Sequence, residues 1–415
     1  MAPVPGVRVT VVLDRPVAVY SGMVPGFVAG QYRRQELEID VRPLAMRAGA
    51  RCVVSAAVGI EPREQRIRLD GRPALPYDTA AFDVGSTVAG LDLPGVREHA
   101  LPTRPIGRFV ERVDDLIARA RAAGRARIVI VGGGAGGVEL AFAFHARLGR
   151  EGVPCTVALL DAGARVLVGY PAGAVRRIER HAAARGIAIR CGTRVAEVRA
   201  DSVVLQGGEV LPADHLVWVA GAASHPLFRD AGLPTDAHGF VRTRASLQVE
   251  GHDELFAVGD CASLIGVPPV PKAGVYAVRQ GPPLIRNLRA RLEGGSFIAY
   301  WPQRDFLSLL NLGDGGAVAA KWGMSADGDW VFRLKDRIDR RFMERFQVLE
   351  YPAGGSALSE GLVENPLLPG PDGLVRLHDA PGLGVRVSRR TVERFLRRVE
   401  IRDGDRVLYR PPAID

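Results

Sequence analysis

Residues 128–140 read IVIVGGGAGGVEL, and this stretch decides the fold. Ile128 to Val131 have the length and β-branching of a buried strand. Gly132, Gly134 and Gly137 then satisfy G-x-G-x-x-G, and the apolar pattern over about 136–148 is that of a helix. A lone match is weak, but one that closes a strand and opens a helix has the required context. The first glycine permits the tight turn, the second lets backbone approach a pyrophosphate, and the third packs helix on strand. The phosphates then meet free N–H groups at the helix N-terminus. The next strand, VPCTVALLD, ends at Asp161, 24 residues beyond Gly137. An acid there can accept ribose hydroxyls and repel a 2′-phosphate, favouring NADH over NADPH, although Arg165 stands close enough to weaken that preference.

Outward from this unit the pattern is α/β. An amphipathic helix over 107–123, with Phe109, Val113, Leu116 and Ile117 on one face, leads into it. Helix 172–185, strand 186–190, paired strands near 194–205 and strand 215–219 with a turn at Gly221 follow it. Towards the N-terminus, VRVTVVLD (7–14) reads as a strand ending in Asp14. Residues 15–31 read as loop, 42–47 as helix, 51–58 as strand and 60–78 as a hairpin, with 79–86 running into Gly85. Towards the C-terminus, ELFAVGDCA (254–262) reads as a buried strand that delivers Gly259 and Asp260 to its carboxyl end. A helix over about 273–293 follows, then a small β-rich region over 296–334. Taken alone, Asp260 also admits the lesser reading of a helix cap.

The chain has 415 residues, 47% of them hydrophobic, which suits two or three soluble domains. The net charge is +9, yet only Lys272, Lys321 and Lys335 are lysines, and no clustered basic and aromatic motif points to nucleic acid. Cys52, Cys155, Cys191 and Cys261 lie far apart, which argues against a redox pair or a metal site and suits free thiols in a reducing cytoplasm. No signal peptide or spanning run is expected.

These motifs, in this order, resemble the two-dinucleotide-domain flavoproteins of the pyridine nucleotide-disulfide oxidoreductase superfamily. The likeness is nearest to type II NADH dehydrogenase-like proteins and to the oxidoreductase domain fused to selenide, water dikinases. The latter likeness rests on VAVYSGMVPGFVAGQY (17–32), AFDVGSTV (81–88), PKAGVYAVRQGPPLIRNL (271–288) and WVFRLKDRIDRRFMERF (330–346). The resemblance implies two nested Rossmann-like domains binding FAD and NAD(P)H. Residues 1–105 and 226–295 would form the FAD-binding domain, 106–225 the NAD(P)-binding domain, and 296–346 a small interface domain. It implies that Asp14, Gly85, Gly221, Gly259, Asp260, Lys272, Ala273 and Gly274 border the cofactors. Glu139 would lie near the nicotinamide and acceptor, to position the ring or relay a proton; a plain helix N-terminal acid is the alternative. The expected activity is hydride transfer from NAD(P)H to flavin and on to a quinone or other small acceptor. A dinucleotide-binding remnant without flavin is the alternative.

The pattern also breaks. The family opens with a strand and glycine turn ahead of the strand at 7–14; here this first βα unit of the FAD domain is expected to be missing, through a misassigned start or a degraded copy. Gly274 and Val275 stand where quinone-reducing relatives carry Ala-Gln, with Gln280 matching a later position. Residues 350–396 resemble instead the C-terminal tail of enolase-superfamily dehydratases of the mandelate racemase group, so 347–415 reads as an unrelated tail. Finally, Leu334, Ile338, Phe342 and Phe346 repeat at i+4 among arginines, which suits a helix lying on an anionic membrane or one packed on its own protein. A cytoplasmic protein is expected; a peripheral position on the inner membrane face and a homodimer are left open by this reading.

Overall fold

A computed structural model describes residues 4–346, 386–390, 401–403 and 406–409. The chain divides into two compact units, Met1–Val348 and Leu349–Asp415. In the second, Ile401–Asp403 pairs antiparallel with Arg406–Tyr409. The enolase-like stretch at 350–396 lies almost wholly outside the described residues.

The first unit is mixed α/β. Its first strand, β1 (Thr10–Leu13), pairs in parallel with β2 (Arg51–Val54) and with no other strand among the described residues. Residues 15–31, expected as loop, instead contain a strand at Val17–Val19 and a helical turn at Val24–Val28. Pro25 falls in the first turn, where its missing N–H costs nothing. All five residues of that turn are buried, so tertiary packing outweighs the local glycine and proline signals. After an antiparallel sheet over Ala57–Pro76, β3 (Ala80–Phe82) runs parallel to a strand at Leu255–Ala257.

The middle of the chain builds one continuous sheet. β4 (Ala100–Pro102) leads to α1 (Ile106–Ala123), β5 (Ala126–Val131), α2 (Ala135–Arg150), β6 (Cys155–Leu160), α3 (Ala172–Ala184), β7 (Ala188–Arg190) and β8 (His215–Trp218). The strand order is β4-β8-β5-β6-β7, all parallel. Ile128, Val129 and Ile130 are all buried because helices cover the face of Ile128 and Ile130 and the antiparallel strands over Val195–Pro212 pack on the face of Val129, which is why this strand reads as a continuous aliphatic run rather than an alternation. On α1 the buried residues are Phe109, Val110, Val113, Leu116, Ile117 and Ala120, at 3–4 residue spacing. These residues share one core with Met23, Val28, β5, α2 and the C-terminal sheet.

β9 (Leu255–Ala257), wholly buried, is followed by α4 (Gly274–Glu293). A meander of β10 (Ser308–Asn311), β11 (Ala317–Lys321) and β12 (Met324–Gly328) then leads to α5 (Asp329–Met343). Helix α5 corrects the expected apolar face. It buries Val331, Lys335, Asp339 and Met343, whereas Leu334 and Ile338 are exposed. The stripe is offset by one residue and carries an ion pair, which hydropathy alone cannot locate.

Candidate functional site

The glycine turn after β5 is built as its sequence requires. Gly132 has φ +120°, and a Cβ there would lie 2.5 Å from the Val219 carbonyl oxygen. A Cβ on Gly137 would collide with the Gly132 carbonyl oxygen, so the third glycine is what lets α2 close on the turn. Nothing lies within 4 Å of a Cβ on Gly134, the N-cap of α2, so backbone there is open to an incoming group. Asp161 reaches back to this turn. One carboxylate oxygen accepts from the Gly133 N–H at 2.6 Å and the other from the Gly163 N–H at 2.7 Å. The acid thus organises the turn. Arg165 is exposed and touches the Tyr170 carbonyl at 3.2 Å.

The flavin-side residues gather at the carboxyl ends of β3 and β9, the position at which α/β sheets bind ligands. Gly259 has φ +70° and donates its N–H to Gln280 Oε1 at 2.6 Å, tying the strand end to α4. Asp260 accepts from Ser86 Oγ at 3.2 Å and lies 3.3 Å from the Arg104 guanidinium, which also binds Ser86. Lys272 donates to the Ala262 carbonyl at 2.5 Å and lies 3.9 Å above the Phe240 ring; burial lowers its pKa. Ala273 caps α4 and Gly274 begins it. Gly85 has φ +68°, and the Gly221 carbonyl accepts from Ala89 at 2.8 Å.

A single cavity of about 3240 Å³ joins the two sides. Asp14, Gly85, Gly134, Gly137, Glu139, Gly221, Asp260, Lys272, Ala273 and Gly274 all line it; Gly132, Asp161 and Gly259 do not. Glu139, on α2, accepts the Asn311 N–H at 2.9 Å. Burial pushes its carboxyl up to about 7, against the pull of the nearby Lys335 ammonium and the Asn311 hydrogen bond. Sequence reasoning missed the polar wall that surrounds it. Lys335 donates to Asp339 Oδ2 at 2.6 Å and to the Gly22 carbonyl at 2.7 Å, and Tyr20 donates to Asp339 Oδ1 at 3.1 Å. The available signal was a lysine paired i,i+4 with an acid, in a chain with only three lysines. Asp83 and Arg104 were missed as well.

All four cysteines are free; burial raises the Cys155 and Cys191 thiols and pushes Cys261 up to about 12. None of these three is poised as a thiolate nucleophile.

A parallel sheet with a glycine turn, facing a second set of strand ends across a shared cavity, defines the class of flavin- and nicotinamide-binding oxidoreductases. The chain belongs to the pyridine nucleotide-disulphide oxidoreductase family, whose model matches residues 2–281. It is 31% identical over 266 residues to the demethylphylloquinone reductase of Synechocystis, covering 62% of this chain and 64% of that protein. It is 28% identical over 287 residues to the type II NADH:quinone oxidoreductase of Haemophilus influenzae, covering 60% of this chain and 64% of that one. The chain thus aligns with slightly less than two thirds of those relatives' length. Its fold matches the sulfide:quinone oxidoreductase of Aquifex aeolicus, with a TM-score of 0.71 and 16% identity over 82% of this chain and 86% of that one. It also matches the NADH complex of NDH2 from Plasmodium falciparum, with a TM-score of 0.69 and 14% identity over 81% and 93% of the two chains.

Relatives in this family use FAD and NAD(P)H. The residues present fit the phosphates of a nicotinamide dinucleotide and the hydroxyl-chain and ring half of a flavin. Bare backbone at Gly134 suits a phosphate, and Asp260 with the start of α4 suits the hydroxyl-bearing chain and ring of a flavin.

Proposed function

We propose that the chain passes hydride from NAD(P)H to FAD and electrons onward to a quinone. One observation carries this reading: the nicotinamide-side turn and the flavin-side strand ends line one cavity, with Glu139 between them. The flavin, when bound, supplies the centre that accepts a hydride and gives up electrons singly or in pairs. The chain's own residues bind and orient. Gly132, Gly134 and Gly137 hold the dinucleotide phosphates, and Asp161 favours NADH. Asp260, Lys272, Ala273 and Gly274 hold the flavin, with Asp14, Gly85 and Gly221 along the same wall. Glu139, with a carboxyl poised near neutral pH, holds a proton beside the acceptor. Scattered, mostly raised thiols argue for direct transfer to a small acceptor rather than through a disulfide.

A lipid surface as the source of quinone is supported by the outer face of α5. On α5, Trp330 is 50% exposed and stands with the exposed Leu334, Ile338, Arg333, Arg337 and Arg341, and at the turn between β11 and β12 Trp322 and Met324 are 69% and 66% exposed. No described helix is long and apolar enough to cross a membrane.

The test is direct. The chain incubated with FAD should show a bound-flavin absorption band and oxidise NADH with a soluble quinone. Binding of NADH without a flavin band or turnover would replace this reading with that of a dinucleotide-binding protein.

A further inference from the structure

Two carboxylates stand together at the carboxyl ends of neighbouring parallel strands. β3 ends at Phe82 and presents Asp83; β9 ends at Ala257 and presents Asp260 two residues past the Val258 N–H that bonds the Phe82 carbonyl. Asp260 already has Arg104 and Ser86. Asp83 faces the cavity and has no hydrogen bond or ion pair among the described residues. It leans over Gly259, where a Cβ would collide with its carboxylate, so the absence of a side chain at 259 is what lets the two acids approach.

We infer that Asp83 and Asp260 act as a paired acceptor for vicinal hydroxyls, and that Asp83 is a second positioning residue for the hydroxyl-bearing chain of the flavin. This rests on the flavin reading above. Two adjacent carboxylates repel an anionic phosphate but suit neutral O–H donors, each of which stabilises a charged oxygen. Without such donors the pair holds a proton: the protein packed around this open cavity wall, then the charge of Asp260, pushes Asp83 up to about 6 even though its carboxylate is exposed to the cavity. The groups facing it are Asp260 and the Cys261 thiol, which stays neutral; Arg104 and Lys272 act on Asp260. Hydroxyl donation favours the ionised acid, so binding releases a proton and tightens as pH rises through this range.

Riboflavin is the probe, because it has the hydroxyl chain and no phosphate. Its affinity for the full chain, read by fluorescence quenching, should rise about tenfold from pH 5 to pH 7.5, since about one Asp83 in eleven is ionised at the lower pH. Asp83→Asn should bind with a flat profile, and Asp83→Leu should lose about tenfold at pH 7.5. Circular dichroism checks that each variant is folded. A retained slope in Asp83→Asn, or parental affinity in Asp83→Leu, overturns the inference while leaving the flavin reading intact. Failure of the parent to bind either riboflavin or FAD overturns both.

Discussion

The nicotinamide side and the flavin side use the same device, a parallel strand that ends in a ligand loop, on very different supports. β5 lies inside a five-stranded ladder, with Ile128, Val129 and Ile130 all buried. β1 has a nearly equivalent sequence, TVVL, yet among the described residues pairs with β2 alone, and all four of its residues are half-buried. β3 and β9 form another pair, and β1 and β3 border the same cavity. Strand-forming residues therefore specify a strand but not its security, which comes from neighbours on both edges and cover on both faces. The largest expected consequence lies in local opening. Backbone amides of Ile128–Ile130 should exchange at least ~100-fold more slowly than those of Val11–Leu13, as read by mass spectrometry. Equal protection would mean that the two supports are energetically alike.

The two sides should also separate under mutation. Gly137→Val places a branched side chain against the Gly132 carbonyl and forces α2 off the turn. NADH affinity should fall ~100-fold, the loss of two or more hydrogen bonds at the turn. Riboflavin affinity should be unchanged, because Gly137 holds no flavin-side strand. Loss of both would show that the turn supports the whole cavity. A smaller effect is expected at Asp161. Asp161→Asn keeps an oxygen for the Gly133 or Gly163 N–H but removes the charge that opposes a 2′-phosphate. The ratio of NADPH to NADH affinity should rise about tenfold, roughly 1.4 kcal/mol. An unchanged ratio would confine Asp161 to shaping the turn.

The sequence was legible where function and local geometry coincide. The glycine turn, the acid after β6 and the Gly259–Asp260 strand end each have a chemistry that only a few residue types supply at one spacing. Gly134 and Gly137 of that turn and Asp260 of that strand end line one cavity. What escaped was set by tertiary packing. Val24–Val28 is helical because its neighbours bury it, against the reading of Pro25 and Gly26. The inward face of α5 escaped for a related reason. Lys335 and Asp339 look like solvent-facing residues until Tyr20 and the Gly22 carbonyl, more than 300 residues away in sequence, supply their remaining partners. Asp83 was hidden because its significance depends on which strand lies beside β3, which hydropathy does not reveal.

The smallest expected effect sits between the two sides, at Glu139. An unfolded glutamate titrates near 4.5, whereas the folded one is raised to about 7. Between those values the unfolded chain has lost the proton and the folded chain keeps it, so the folded state binds more protons and stability falls as pH rises across that window. Below it both states are protonated, and above it both are ionised, so the penalty is absent below and constant above. Glu139→Gln removes this titration while its side-chain oxygen can still accept the Asn311 N–H, and Lys335 keeps Asp339. Other groups that titrate in the same range, Asp83 among them, are common to parent and variant and cancel in the difference. The melting temperature of Glu139→Gln minus that of the parent should therefore rise by a few degrees, about 2–4 °C, from pH 5 to pH 7.5 and then level off. A difference that stays flat over that range would mean that Lys335 keeps Glu139 ionised in the folded chain, and the carboxyl between the two cofactor sides would then hold no proton to give.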